Sequence, residues 1–130
     1  VLIVVRVHGE RLIARKAAIR DVCSAIYALV QIIPQGYVTS YLSIARLLSV
    51  HPRVVASCLS RNKEIVMVPC HRVVHSNRRI GGYKPLGKQF KRKLLLLEGV
   101  RINGDLVDER HLLDIVELLE NHASRNILPW

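Results

Sequence analysis

The sequence has little that would mark a secreted, membrane-spanning or disulfide-built protein. Among its 130 residues there is no run of eighteen apolar side chains. The longest apolar stretches, such as Val1–Val5 and Leu94–Leu97, are core-sized, which excludes a membrane-spanning helix. The start has no charged head, long apolar body or small-residue cleavage site, so secretion is not expected. Cysteine is scarce: Cys23, Cys58 and Cys70 form an odd set with no Cys-x-x-Cys pair. That argues against a disulfide framework or zinc knuckle and for a reducing cytoplasmic (in a eukaryote, nuclear) setting. Cys23 and Cys58 fall on helical segments and read as buried small hydrophobes. His8, His51, His75, His111 and His122 lack metal-ligand spacing, so no metal or cofactor is expected. Repeats and low-complexity linkers are also absent. Half of the residues are hydrophobic, enough for the core of one compact domain over 1–130 and too many for a disordered chain.

Acidic residues are few and displaced to one end. Residues 1–104 carry eighteen basic and four acidic side chains, whereas 105–130 carry two basic and six acidic. From Arg78 to Lys93 seven basic residues occur with no acid. A surface of that kind gains by releasing counterions from phosphates, which makes nucleic acid the leading partner and a merely solubilising charge the alternative. Within the tract, Arg78, Arg79, Lys88, Lys91, Arg92 and Lys93 read as phosphate contacts or solvated surface.

Periodicity gives an α+β, mainly helical chain. Val1–Val7 and Arg11–Ala14 read as strands around a His8-Gly9-Glu10 turn. Val22, Ile26, Leu29 and Val30 share one face of a helix over 20–32, stopped by Pro34-Gln35-Gly36. Thr39 or Ser40 can cap a second helix carrying Ile44, Ala45, Leu47 and Leu48. Pro52 suits the first position of a third helix running to Ser60. Two short helices with a tight turn between them, the second bearing Arg53 and Arg61, form a helix-turn-helix pattern. A basic, leucine-lined helix is predicted over 88–97, and a hairpin around Asn103-Gly104-Asp105. Asp108 can cap a last helix reaching His122, with Leu112, Ile115, Val116 and Leu119 inward. That helix is expected to pack on the first strand.

Pro69-Cys70-His71-Arg72 is the feature richest in chemistry. A thiol reacts as its thiolate, and His71 and Arg72 supply a base and positive potential. Adjacent side chains diverge, however, so His71 needs a sharp bend or a bridging water to reach the sulfur. From the local sequence alone a buried structural cysteine beside an ordinary histidine is the more common reading, and the neighbourhood decides against it.

Together with Ile33-Pro34-Gln35-Gly36-Tyr37-Val38-Thr39-Ser40-Tyr41, Arg61-Asn62, Val73-Val74 and Leu97-Glu98-Gly99, this string resembles the catalytic domain of the O6-alkylguanine-DNA alkyltransferases. The resemblance covers residues 20–100. It implies a winged-helix-like helix-turn-helix domain that binds duplex DNA carrying O6-alkylguanine through the minor groove, as a monomer and away from membranes. It further implies that the domain flips the damaged base and takes the alkyl group irreversibly onto Cys70, as a single-turnover methylated-DNA–protein-cysteine methyltransferase.

By the resemblance, His71 deprotonates Cys70 through a water, Glu98 orients His71, and Tyr41 donates a proton toward the leaving guanine. Asn62 is the hinge between the recognition helix and Cys70, and Arg53 fills the gap left in the base stack. Ala56, Ser57, Arg61 and Arg72 join Arg53 and Tyr41 at the DNA. Val73, Val74, Tyr83 and Lys84 enclose the base, with Gly81-Gly82 in the lid. Read without the resemblance, Glu98 is a helix-end charge, Tyr41 a packed aromatic and Asn62 a turn residue. The family normally has a sizeable domain before this one, where about twenty residues stand here, and the region 105–130 has no counterpart in its common pattern. A non-catalytic alkyltransferase-like lesion sensor (a kind that typically lacks the acceptor cysteine), a helix-turn-helix regulator and a cysteine hydrolase are the alternatives.

Overall fold

The computed structural model describes residues 2–127, with side chains to 124. Val1, the first residue of the expected N-terminal strand, and 128–130, the end of the C-terminal extension, lie outside them. Strands β1 (Ile3–His8) and β2 (Arg11–Lys16) form an antiparallel hairpin pairing Ile3 with Lys16 and His8 with Arg11. Helix α1 (Ile19–Gln31) follows directly. The Asp21 carboxylate ties the two together, accepting from the Ala18 amide at 2.8 Å and from Arg15 at 2.9 Å. It satisfies one orphan donor of the helix start and places a negative charge where the helix dipole favours it.

Val22, Ile26 and Val30 of α1 are buried against the next two helices, as their spacing predicts. Helix α2 (Tyr41–Leu48) is capped by the Ser40 hydroxyl, which accepts from the Ser43 amide at 3.0 Å, and it ends at Ser49 in the left-handed region. Helix α3 (Pro52–Ser60) has Pro52 in its first turn and His51 as cap. The two helices meet at 111°, within the range of helix-turn-helix pairs. Ile44, Ala45, Val55, Cys58 and Leu59 bury the inner faces of this pair in one core with α1.

One expectation fails here: Cys23 of α1 and Cys58 of α3 form a disulfide. An odd cysteine count says nothing about which two sulfurs the packing of α1 on α3 brings together, and it no longer argues for a reducing compartment. The bridge closes a sequence separation of 35 residues, which by the chain-entropy argument stabilises the fold by about 3–4 kcal/mol. Replacing both cysteines with alanine is therefore expected to lower the melting temperature by about 10–20 °C, measured by circular dichroism against the oxidised protein.

Beyond α3 the chain makes a 3₁₀ turn at Cys70–Arg72 and then β4 (Val73–Val74), which pairs in parallel with β3 (Thr39–Ser40). Helix α4 (Lys88–Leu97) packs on the 3₁₀ turn through its inward face. The hairpin β5 (Ile102–Asn103) and β6 (Leu106–Val107) encloses a second, smaller core of Val38, Val74, Ile80, Leu95, Val100 and Val107.

The C-terminal region differs from its prediction. Asp108 caps only a 3₁₀ turn, Glu109–His111, and helix α5 begins later, spanning Ile115–Ile127. Residues 112–113 stay extended because Val38 binds the backbone on both sides of Leu112: its amide donates to His111 O and its carbonyl accepts from the Leu113 amide, each at 2.8 Å. Among its neighbours α5 packs chiefly on α2, not on β1, with Ile115 in the main core. The extension thus braces the segment that leads into α2.

Candidate active site

The fold turns the Cys70-His71-Arg72 string into a tight turn whose three side chains take different directions. Asn62, buried just past the end of α3, holds that turn. Its Oδ1 accepts from the Glu64 amide at 3.0 Å, while its Nδ2 donates to Val68 O at 3.0 Å and lies 3.4 Å from Cys70 Sγ. One amide therefore spans the helix that ends at Ser60 and the turn that carries the thiol.

His71 is buried, with Nε2 2.7 Å from Glu98 Oε1. A carboxylate only accepts, so Nε2 carries the proton and Nδ1 is left as the basic nitrogen. Nδ1 is buried without a protein partner. Burial is the largest influence on His71 and pushes its pKa below the ordinary 6.5. Glu98 works against that shift, while Arg72 and Lys91 reinforce it. The imidazole is therefore neutral at neutral pH, as a base must be.

Glu98 caps the C-terminus of α4 and is itself gripped by Arg72. The Arg72 Nε lies 3.1 Å and 3.2 Å from the two carboxylate oxygens, and a terminal nitrogen closes the fork. Burial alone would raise the Glu98 pKa, but hydrogen bonds from Arg72 and His71 outweigh it and hold the carboxyl below its usual range. The Arg72 Nη1 also donates to Ile33 O at 2.8 Å. Gly36 lies against the backbone of Glu98, where an added Cβ would sit 3.3 Å from its carbonyl, and its φ of +91° suits glycine. The Ile33–Tyr41 string and Leu97-Glu98-Gly99 are thus two sides of one ionic network.

Cys70 is the free cysteine, 5 % exposed, and opens into a cavity of about 250 Å³. Tyr41, Ala56, Tyr83 and Lys84 line that cavity with it. Tyr41 starts α2, and burial first and Cys70 second push its pKa up to about 12, so the phenol keeps its proton. Tyr83 is pushed in the same direction by the same two causes, and its buried hydroxyl has no hydrogen bond of good geometry. Arg53, on the first turn of α3, and Arg61, at its end, are exposed, and Ser57 is half-buried between them.

Two expected wall residues are elsewhere. Val73 and Val74 are fully buried in the two cores, because β4 pairs with β3 and points neither side chain outward. The cavity wall is taken instead by His75, whose ring centroid is 5.3 Å from that of Tyr41, together with Leu59 and Ser60. Lys91 was expected at the surface and is completely buried, its Nζ donating to Val73 O at 2.7 Å. A signal for it existed: Lys91 lies four and seven residues before Leu95 and Glu98, on the same inward helical face. Other basic residues of the tract are internally engaged, Lys88 with Asp105 at 2.8 Å, Arg78 with Val107 O at 3.1 Å, and Arg92 with Gly104 O.

These features define a class, a helix-turn-helix domain in which a buried, histidine-backed thiol opens beside the second helix. The chain belongs to the 6-O-methylguanine DNA methyltransferase family, whose DNA-binding-domain profile matches residues 21–100. It is 43% identical over 70 residues to the methylated-DNA–protein-cysteine methyltransferase of Candida albicans, an overlap of 54% of this chain and 39% of that protein. The crystal structure of Mycobacterium tuberculosis OGT in complex with DNA superposes with a TM-score of 0.57 at 32% identity, covering 61% of this chain and 49% of that one. Schizosaccharomyces pombe Atl1, solved with damaged DNA containing O6-carboxymethylguanine, shares the fold at a TM-score of 0.67 and 24% identity, covering 75% and 98%. The chain spans half or less of the length of the curated relatives it matches.

Proposed function

We propose that the protein repairs O6-alkylguanine in duplex DNA by transferring the alkyl group irreversibly to its own Cys70. The observation that carries this reading is the position of Cys70 Sγ: it opens to a cavity walled by α3, while a neutral His71 with a free basic nitrogen is held behind the same turn. The target atom of a stacked, paired guanine is out of reach, so the base must leave the helix, and a cavity bordered by the DNA-facing helix receives it.

In this mechanism His71 Nδ1 takes the Cys70 proton through a water, and Glu98 stabilises the imidazolium that results. The sulfur lone pair forms the S–C bond as the C–O6 bond breaks, and the bonding pair passes into the guanine ring. Tyr41, protonated at neutral pH, donates toward the ring nitrogen as that charge develops. The product is a thioether with no basic sulfur left, so the protein acts once. Arg53, exposed at the start of α3, enters the stack in place of the extruded base. Arg53→Ala is accordingly expected to slow reaction with duplex substrate at least tenfold more than reaction with free O6-benzylguanine, which needs no extrusion. Equal losses on the two substrates would remove Arg53 from that role.

A lesion-binding protein that does not transfer is the second reading, favoured by the greater share of the chain that superposes on S. pombe Atl1. Titrating the protein into a fixed amount of O6-methylguanine duplex separates the two. The transferase removes one lesion per molecule and then stops. The binder removes none, and a hydrolase continues past one equivalent.

A further inference from the structure

The mechanism above does not use residues 111–115, yet they hold the segment that carries Tyr41 from several sides. Val38 is bonded to His111 O and to the Leu113 amide, each at 2.8 Å. The Thr39 hydroxyl donates to Leu113 O at 2.8 Å. In the first turn of α2 the Ser43 hydroxyl accepts from the Ile115 amide at 3.0 Å. Tyr41, the first residue of α2, lies between these anchors. Among the described residues, backbone bonding within 34–38 is a single contact, from Tyr37 N to Pro34 O at 3.2 Å, so the shape of that loop depends on what holds it from outside.

His111 ties the start of that loop to a second fixed point. Its Nε2 accepts from the Arg101 amide at 3.1 Å, and its Nδ1 lies 2.8 Å from Gly36 O. A carbonyl only accepts, so the proton is on Nδ1, and both ring nitrogens are engaged only in the neutral imidazole. This is the opposite tautomer to that of His71. Arg101 stands between Val100, in the smaller core, and β5. Gly36, at a φ of +91°, opens the turn into Tyr37 and Val38. The Tyr37 ring lies beside the imidazole, with 6.3 Å between centroids. One neutral side chain is thus a strut from the smaller core to the loop before α2.

We propose that His111 is a positioning residue for the proton donor: by clasping Gly36 to Arg101 it sets where the 36–40 segment delivers the Tyr41 hydroxyl at the cavity. A displacement of about 1 Å at a reacting group is enough to slow a reaction by an order of magnitude or more. The thiol is held independently, its turn by Asn62 and its histidine by Glu98, which α4 and Arg72 fix whether or not the clasp is closed. The inference rests on the alkyl-transfer reading, because Tyr41 acts as a donor only in that reaction.

The test compares two reactions of Cys70 in His111→Phe, which keeps a planar ring and loses both bonds. Transfer from free O6-benzylguanine, which needs the proton donor but no DNA, is expected to slow about tenfold. Alkylation by iodoacetamide, which needs only the thiolate, is expected to stay within about twofold of the wild type. His111→Asn, whose side-chain nitrogen stands where Nδ1 stood and donates to Gly36 O in its place, is expected to recover benzyl transfer to within about threefold. Added to Tyr41→Phe, His111→Phe should cost less than about a further twofold, because the group it positions is gone. Equal slowing of the two reactions, an unslowed benzyl transfer, full additivity with Tyr41→Phe, or an Asn variant as slow as Phe overturns the proposal. Should His111→Phe fail to fold, ¹⁵N NMR of the native protein decides: His111 must carry its proton on Nδ1, and a proton on Nε2 overturns the clasp. A wild type that takes no benzyl group sinks the repair reading alone. Amide exchange at Val38 then judges the clasp: it is expected to quicken about tenfold in folded His111→Phe, and an unchanged rate overturns it.

Discussion

Glu98→Gln is expected to slow alkyl uptake by about 10³–10⁴-fold while leaving DNA binding within a factor of a few, because an amide in place of the carboxylate misorients His71 and cannot stabilise its charged form. Glu98 accepts from His71 Nε2 at 2.7 Å and is held by the fork of Arg72, so its position is fixed from two sides. The pH dependence carries the same argument. In the wild type burial keeps His71 neutral below 6.5, so the rate should hold as the pH falls through that value and drop only at lower pH. Single-turnover quench measurements across pH 5 to 8 report both effects. A rate that halves near pH 6.5, or a Gln variant within tenfold of wild type, would remove the His71–Glu98 pair from proton transfer.

Cys70→Ala is expected to abolish alkyl transfer completely and to retain lesion-selective binding. The side chain is small, 5 % exposed, and contributes one weak hydrogen bond, the 3.4 Å contact from Asn62 Nδ2. Its removal leaves Asn62 still bonded to Val68 O and to the Glu64 amide, so the turn keeps its shape. Binding to lesion and undamaged duplexes, compared by fluorescence anisotropy at a fixed salt concentration, should therefore still favour the lesion. Loss of that preference would mean that Cys70 is a structural residue, as its local sequence also allowed.

The helices were legible because their signals are local. Ser40 caps α2, Pro52 opens α3, and Val22, Ile26 and Val30 of α1 repeat with the helical period. The site was legible through a string of residues, not through periodicity: β3 and β4 have two residues each, and the 3₁₀ turn three, too few for any pattern. What escaped depends on tertiary pairing. The Cys23–Cys58 bridge needs α1 to lie on α3, and the late start of α5 follows from Val38 claiming the backbone on either side of Leu112. Lys91 was hidden by composition, since a lysine in a basic tract reads as surface unless its place on the buried face of α4 is given more weight than its charge.

The central claim concerns one sulfur, and peptide mass spectrometry after incubation with excess O6-methylguanine duplex tests it most directly. The account predicts one methyl in place of one hydrogen on the peptide containing Cys70, complete within a single equivalent, with the Cys23–Cys58 disulfide unmodified. Methyl on any other residue, or an unmodified Cys70 in a protein that has consumed the lesion, would contradict it.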